Sequence, residues 1–142
     1  MKRINVMERE QSYSLREEIK TLRTNIQFCG SDKKVILITS CLPGEGKTTT
    51  AFEIAKSFAE LKKNVLLIDA DLRKSMILSR LGIEGEVEHG LSHFLSGQST
   101  LSDVILSTNI PKLHVMVAGP TVPNPTELLA SQRFASMLKS CK

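Results

Sequence analysis

Two short clusters carry residue types suited to phosphate chemistry. The first is Cys41-Leu42-Pro43-Gly44-Glu45-Gly46-Lys47-Thr48-Thr49-Thr50. Gly44 and Gly46 have no Cβ, so the backbone is free to curl there and turn N–H groups inward toward an anion. A helix starting at Lys47 adds the positive end of its dipole to those donors. Lys47 has the reach for β and γ phosphates, and the Thr48 hydroxyl is a ligand type suited to Mg²⁺. Pro43, Gly44, Glu45, Gly46, Lys47, Thr48 and Thr49 are therefore the expected binding residues for a nucleoside triphosphate. The strict spacing Gly-x-x-x-x-Gly-Lys-[Ser/Thr] fails at one position, where Cys41 stands in place of the first glycine.

The second cluster is Asp69-Ala70-Asp71-Leu72-Arg73, directly after an apolar run. Alternation along an extended chain turns Asp69 and Asp71 to the same side. Two carboxylates facing phosphates repel them unless a cation intervenes, and Mg²⁺ prefers oxygen ligands, often through water. One carboxylate then holds the metal shell while the other takes a proton from an attacking hydroxyl. The plainer alternatives are a Gly-rich turn in the first cluster and strand-end capping carboxylates in the second.

The flanking pattern says which elements position these clusters. Val35–Thr39, apolar as far as Ile38, reads as a strand buried on both sides, leading into the glycine loop. Ala51, Ile54, Ala55, Phe58 and Ala59 recur at helical spacing, which predicts a helix from about Lys47 to Lys63. Val65–Ile68 reads as a second buried strand ending at Asp69. Strand, helix and strand in that order form a βαβ unit with a right-handed crossover and a parallel pair. In such a sheet, ligands bind at the carboxyl ends of strands, so both clusters fall on one edge. Before this unit, Leu15, Ile19, Leu22 and Ile26 make a narrow apolar stripe, and residues 1–34 read as a helical arm ending at Gly30-Ser31-Asp32. After it come a short helix over 73–82 closed by Gly82, a loop over 83–90, and short helices over 91–97 and 101–107. A third strand over Leu113–Ala118, a proline-rich loop and a last helix from the capping residue Thr126 to about Lys139 complete the chain.

Composition narrows the function classes. At 142 residues and 41% apolar content, the chain suits one globular domain. The net charge of +4 is too mild for a nucleic-acid partner, and no aromatic residues interleave the basic ones. The three cysteines (Cys29, Cys41, Cys141) match no zinc or disulfide spacing and point to a reducing cytoplasm. Cys41 reads as a small packing residue, with a reactive thiol as the alternative. His89 and His93 are four apart, yet lack a third ligand for a metal. No apolar run approaches 18 residues, which points to a soluble chain whose membrane association comes through a partner.

With Pro43–Thr48 and Asp69–Arg73 both in place, the chain resembles the bacterial tyrosine kinases of capsule and exopolysaccharide synthesis. The matching segments are a Pro-Gly-Glu-Gly-Lys-Thr Walker A loop and an Asp-x-Asp-x-Arg Walker A′ segment. A helix of type Glu-x-x-Arg-x-x-Arg-Thr-Asn is matched by Glu17, Arg23, Thr24 and Asn25, with Lys20 for the first Arg. Asn124-Pro125-Thr126-Glu127-Leu128-Leu129 resembles the family's Asn-Pro-x-Glu-Leu-Leu segment. The resemblance spans roughly residues 14–142.

It implies a P-loop NTPase-type three-layer α/β/α fold with a mostly parallel sheet. It divides the chain into an oligomerisation arm (1–34) and the N-terminal two-thirds of an ATP-binding kinase domain (35–142). The sheet is then incomplete on its C-terminal side, because the family's Walker B strand, its Thr-Pro-Pro and its terminal tyrosine cluster have no counterpart here. In that frame Lys47 contacts phosphates, Thr48 and Asp71 hold Mg²⁺, Asp69 is the base for a tyrosine hydroxyl, and Glu17, Lys20 and Arg23 assemble a homo-oligomeric ring. Lys20 keeps the charge of the family's Arg but loses its bidentate fork. The resemblance further implies ATP and Mg²⁺ as cofactors and protein tyrosines as substrates. It also implies a transmembrane activator that places the kinase at the inner face of the membrane. Two other readings stay open. One is a partition or septum-positioning ATPase switch, whose early-loop Lys is replaced here by Leu42. The other is a catalytically dead module that binds nucleotide or oligomerises.

Overall fold

A computed structural model describes residues 2–8, 11–39, 46–73, 75, 77–83 and 87–142. Among these residues, four strands form one mixed sheet: β1 (Arg3–Ile4), β2 (Val65–Ile68), β3 (Leu106–Thr108) and β4 (Leu113–Met116), in the order β1-β3-β4-β2. β1 runs parallel to β3, β2 runs parallel to β4, and β3 and β4 form an antiparallel pair. The described helices that flank it are α1 (Tyr13–Phe28), α2 (Lys47–Glu60), α3 (Ile77–Arg80), α4 (Leu91–Leu95), α5 (Leu101–Val104), α6 (Pro125–Leu129) and α7 (Gln132–Cys141).

Side-chain alternation along the two longer strands builds the layers. Leu113, Val115 and Val117 face a cluster with Phe52, Ala55 and Ala59 of α2 and with Ile77 and Leu81. Met116 and Ala118 face the other way, onto Leu91, Phe94, Leu95, Val104 and Met137. β2 splits likewise, with Val65 and Leu67 on the α2 side and Leu66 and Ile68 on the other. Helices on both faces of one sheet make the expected three-layer α/β fold, with β4 buried on both sides.

Several elements differ from the sequence reading. Val35–Thr39 is not a strand: Val35, Ile36 and Leu37 are 49%, 45% and 85% exposed. Apolar, β-branched composition suits burial, but burial also needs a ladder partner, and β2 and β4 pair with each other instead. The predicted βαβ pair is therefore not formed. Residues before α1, read as part of a helical arm, include β1, which pairs with β3. The helix predicted over 101–107 stops at Val104, and Leu106–Thr108 becomes β3. Thr100 and Asp103 form the capping box that starts that helix, while cross-strand pairing claims the residues beyond it. The last helix is two, broken at Ala130-Ser131. Asn124 rather than Thr126 precedes α6, with Pro125 at its first position. Ser131 then caps α7 by accepting from the Phe134 N–H.

Candidate nucleotide site

The site has two halves, one at the start of α2 and one at the end of β2. The four residues between these elements, 61–64, turn the chain back so that α2 lies along β2. The N-terminus of α2 and the carboxyl end of β2 therefore share one edge of the sheet.

At the helix start, Gly46 adopts φ 76° and ψ 20°, a left-handed conformation that favours glycine. Among the described residues no side chain caps α2; the Gly46 carbonyl accepts the first helical bond, from the Thr50 N–H at 2.9 Å. The N–H groups of the first turn consequently lack helical acceptors and sit at the positive end of the helix dipole, a ready seat for phosphate oxygens. Lys47 and Thr49 are exposed and Thr48 is half-buried. The expected contacts at Pro43, Gly44 and Glu45, and the question of Cys41, lie outside the described residues.

At the strand end, the Asp69 N–H donates to the Met116 carbonyl at 2.9 Å, extending the β2–β4 ladder by one rung. Asp69 Oδ1 accepts from the Asp71 N–H at 3.0 Å, and Oδ2 accepts from the Ser75 hydroxyl. Asp71 Oδ1 in turn accepts from the Arg73 N–H at 3.3 Å. The chain thus leaves extended geometry in successive Asx turns, each carboxylate bonding the backbone two residues on. Leu72, 3% exposed, anchors this turn in the cluster beneath it. Sequence reasoning misses Ser75, because no periodic or motif signal marks it. Accepting these bonds fixes the orientation of both carboxylates at the strand end.

The residues assigned to assembly are engaged within the chain. Glu17 lies 3.6 Å from Lys20 along α1. Arg23 donates from Nη1 to the Ser57 carbonyl at 3.0 Å and to its hydroxyl at 2.9 Å. Between α1 and α2, Glu53 is 8% exposed, and burial pushes its carboxyl above the usual range despite the opposing pull of Lys56. His89 and His93 meet edge to face at 5.5 Å. Nδ1 of His93 accepts from the Gly90 N–H, and that of His89 pairs with the Ser99 hydroxyl. Among the described residues no group of three metal-ligating side chains converges. None of their helices is long and apolar enough to cross a membrane.

An uncapped helix start and a carboxylate turn on the same sheet edge place the chain among the P-loop α/β nucleotide-binding domains. More closely, the chain belongs to the AAA domain family, whose pattern matches residues 33–140. Its relatives include the tyrosine-protein kinase CpsD of Streptococcus agalactiae, 41% identical over 132 residues, covering 93% of this chain and 57% of that protein. CpsD of Streptococcus pneumoniae is 45% identical over 126 residues, covering 89% and 55%. Among solved structures, the kinase domain of the Escherichia coli tyrosine kinase ETK superposes with a TM-score of 0.82 at 29% identity. It covers 94% of this chain and 56% of that one. The chain thus spans little more than half the length of these relatives, and its resemblance to bacterial tyrosine kinases holds in both sequence and fold. Nucleotide use goes with that family.

Proposed function

We propose that the chain forms the nucleotide-binding part of an ATP-dependent protein-tyrosine kinase acting in capsular or exopolysaccharide synthesis. The observation that carries this reading is the shared edge: a Gly46-led helix start with free N–H donors beside the Asp69–Asp71 turn. The donor set fits Mg²⁺-ATP. Lys47 and the first-turn amides bind and orient the phosphates, while Thr48 and Asp71 would supply oxygen ligands to Mg²⁺. A bound Mg²⁺ would supply neutralisation of phosphate charge. Asp69, held by Ser75 and the Asp71 amide, accepts the proton of the tyrosine hydroxyl as its oxygen bonds to the γ-phosphorus and ADP leaves.

Residues 35–142 supply this site, and the segment over 1–34 serves homo-oligomerisation into a ring. Protein tyrosines are the substrates, and a transmembrane activator brings the cytoplasmic kinase to the inner membrane face. Titration calorimetry with Mg²⁺-ATP, paired with a phosphotyrosine assay on the intact protein, tests the proposal. Saturable ATP binding that Lys47→Met removes, together with phosphotyrosine, is expected. Undiminished binding by Lys47→Met, or no phosphotyrosine from an ATP-binding protein, overturns it.

A further inference from the structure

The far end of the nucleotide helix is closed by a residue from another element. α2 has no basic residue in its own last turn. Its carbonyls are the negative end of the dipole whose positive end sits at Lys47. The helix stops in a Schellman arrangement, with the Lys62 N–H on Ala59 at 2.9 Å and the Lys63 N–H on Phe58 at 3.4 Å. Lys62 takes φ 63° to make this turn. The Leu61 N–H donates to Phe58 at 3.1 Å, one residue short of Ser57, its ordinary acceptor in a helix. The Ser57 carbonyl is thereby released from the ladder on a residue only 4% exposed. Arg23 of α1 takes the place of that amide, donating to the carbonyl and to the Ser57 hydroxyl.

We infer that Arg23 is a positioning residue for nucleotide binding: it caps the C-terminal end of α2 from α1 and so couples the arm to the phosphate-binding end of the same helix. This rests on the proposed nucleotide site. The contact is a charge-assisted hydrogen bond in a half-buried setting, so its loss frees a buried carbonyl and removes a cation from the helix end together. Among the described residues, Arg23 Nε is itself buried without a partner. The guanidinium is thus held by this contact rather than by a diffuse set of bonds. An arm drawn onto another protein would have to release Ser57 first, and α2 would fray at its last turn.

The test uses the full chain and its Arg23→Gln, Arg23→Lys and Ser57→Ala variants. Hydrogen exchange is read at the Leu61, Lys62 and Lys63 amides, Mg²⁺-ATP affinity by calorimetry and assembly by light scattering. Arg23→Gln should speed exchange at those three amides by roughly tenfold and weaken ATP binding by roughly two- to tenfold. Arg23→Lys should recover part of both, and Ser57→Ala, which keeps the carbonyl, should lose less than Arg23→Gln. Should Arg23→Gln fail to fold, the Ser57→Ala exchange carries the test alone. Unchanged exchange at Leu61–Lys63 in the variants, or a change confined to oligomer size, overturns the inference. If the wild-type chain binds no ATP, the nucleotide reading fails while the exchange data still report on the cap.

Discussion

The two halves of the site are built in opposite ways. The acidic half is fastened by protein hydrogen bonds and burial: a ladder rung to Met116, the Asx turns of Asp69 and Asp71, and the buried Leu72. The phosphate half has a glycine in left-handed conformation, uncapped amides, an exposed lysine and, upstream, the exposed run Val35–Leu37. One half carries its shape in its own hydrogen bonds, while the other offers donors that only an anion completes. Substitutions in the acidic half should therefore disturb fold and function together, whereas those in the phosphate half should separate them.

The largest separation is expected at Lys47. Lys47→Met should weaken Mg²⁺-ATP binding by about ten- to a hundredfold, as loss of a charge-assisted contact implies. Its melting temperature should stay within about a degree of wild type, because the exposed side chain supports nothing else. Calorimetry and thermal melts decide; a large drop in stability would break the contrast. Gly90→Ala should act oppositely. Its Cβ would fall 2.4 Å from the Gly119 nitrogen and 2.8 Å from the Val117 carbonyl, both backbone atoms beyond β4 that cannot swing aside. A destabilisation of about 1–3 kcal/mol is expected in urea unfolding.

Asp69→Ala should be intermediate, losing activity and about 1–2 kcal/mol of stability as the Asp71 amide and Ser75 hydroxyl lose their acceptor. Asp69→Asn should recover much of the stability but not the activity, because an amide accepts hydrogen bonds without serving as a base. The smallest effect is expected at Glu53. Its carboxyl is raised by burial, so the folded chain holds the proton more tightly than the unfolded one. That contribution is full below the ordinary carboxylate range and is lost as pH climbs through the folded value. Glu53→Gln should thus raise the melting temperature by about a degree or two at pH 7 and not at pH 4. An equal gain at both pH values would assign the effect to packing instead.

The range of the interactions decides how much of this is legible in the sequence. α2 and its buried Ala55 and Ala59 can be read because helical spacing is local, and β2 and β4 because apolar runs bounded by turns are local too. The placement of Asp69 and Asp71 at a strand end comes from the same logic. β3 is hidden because three residues after a strong helix start carry little signal of their own; only β1 and β4 beside them make them a strand. Val35–Thr39 fails in reverse, since its composition promises a ladder that needs a second strand. Glu53 looks like a solvated helix residue, and the packing of α1 and the preceding Gln11 against α2 covers it. Arg23 is legible as part of a motif but not as a cap, although the lack of a basic residue at the end of α2 is a usable clue.

The pairing of β1 with β3 has a consequence for how the chain comes into being. Arg3 and Ile4 leave the ribosome well ahead of their partners Ser107 and Thr108. At ordinary elongation speeds a separation of about a hundred residues is a wait of roughly five to twenty seconds. β1 is therefore made early but seated late, and a substitution that weakens its hold on β3 would slow the finishing step of assembly more than the early ones.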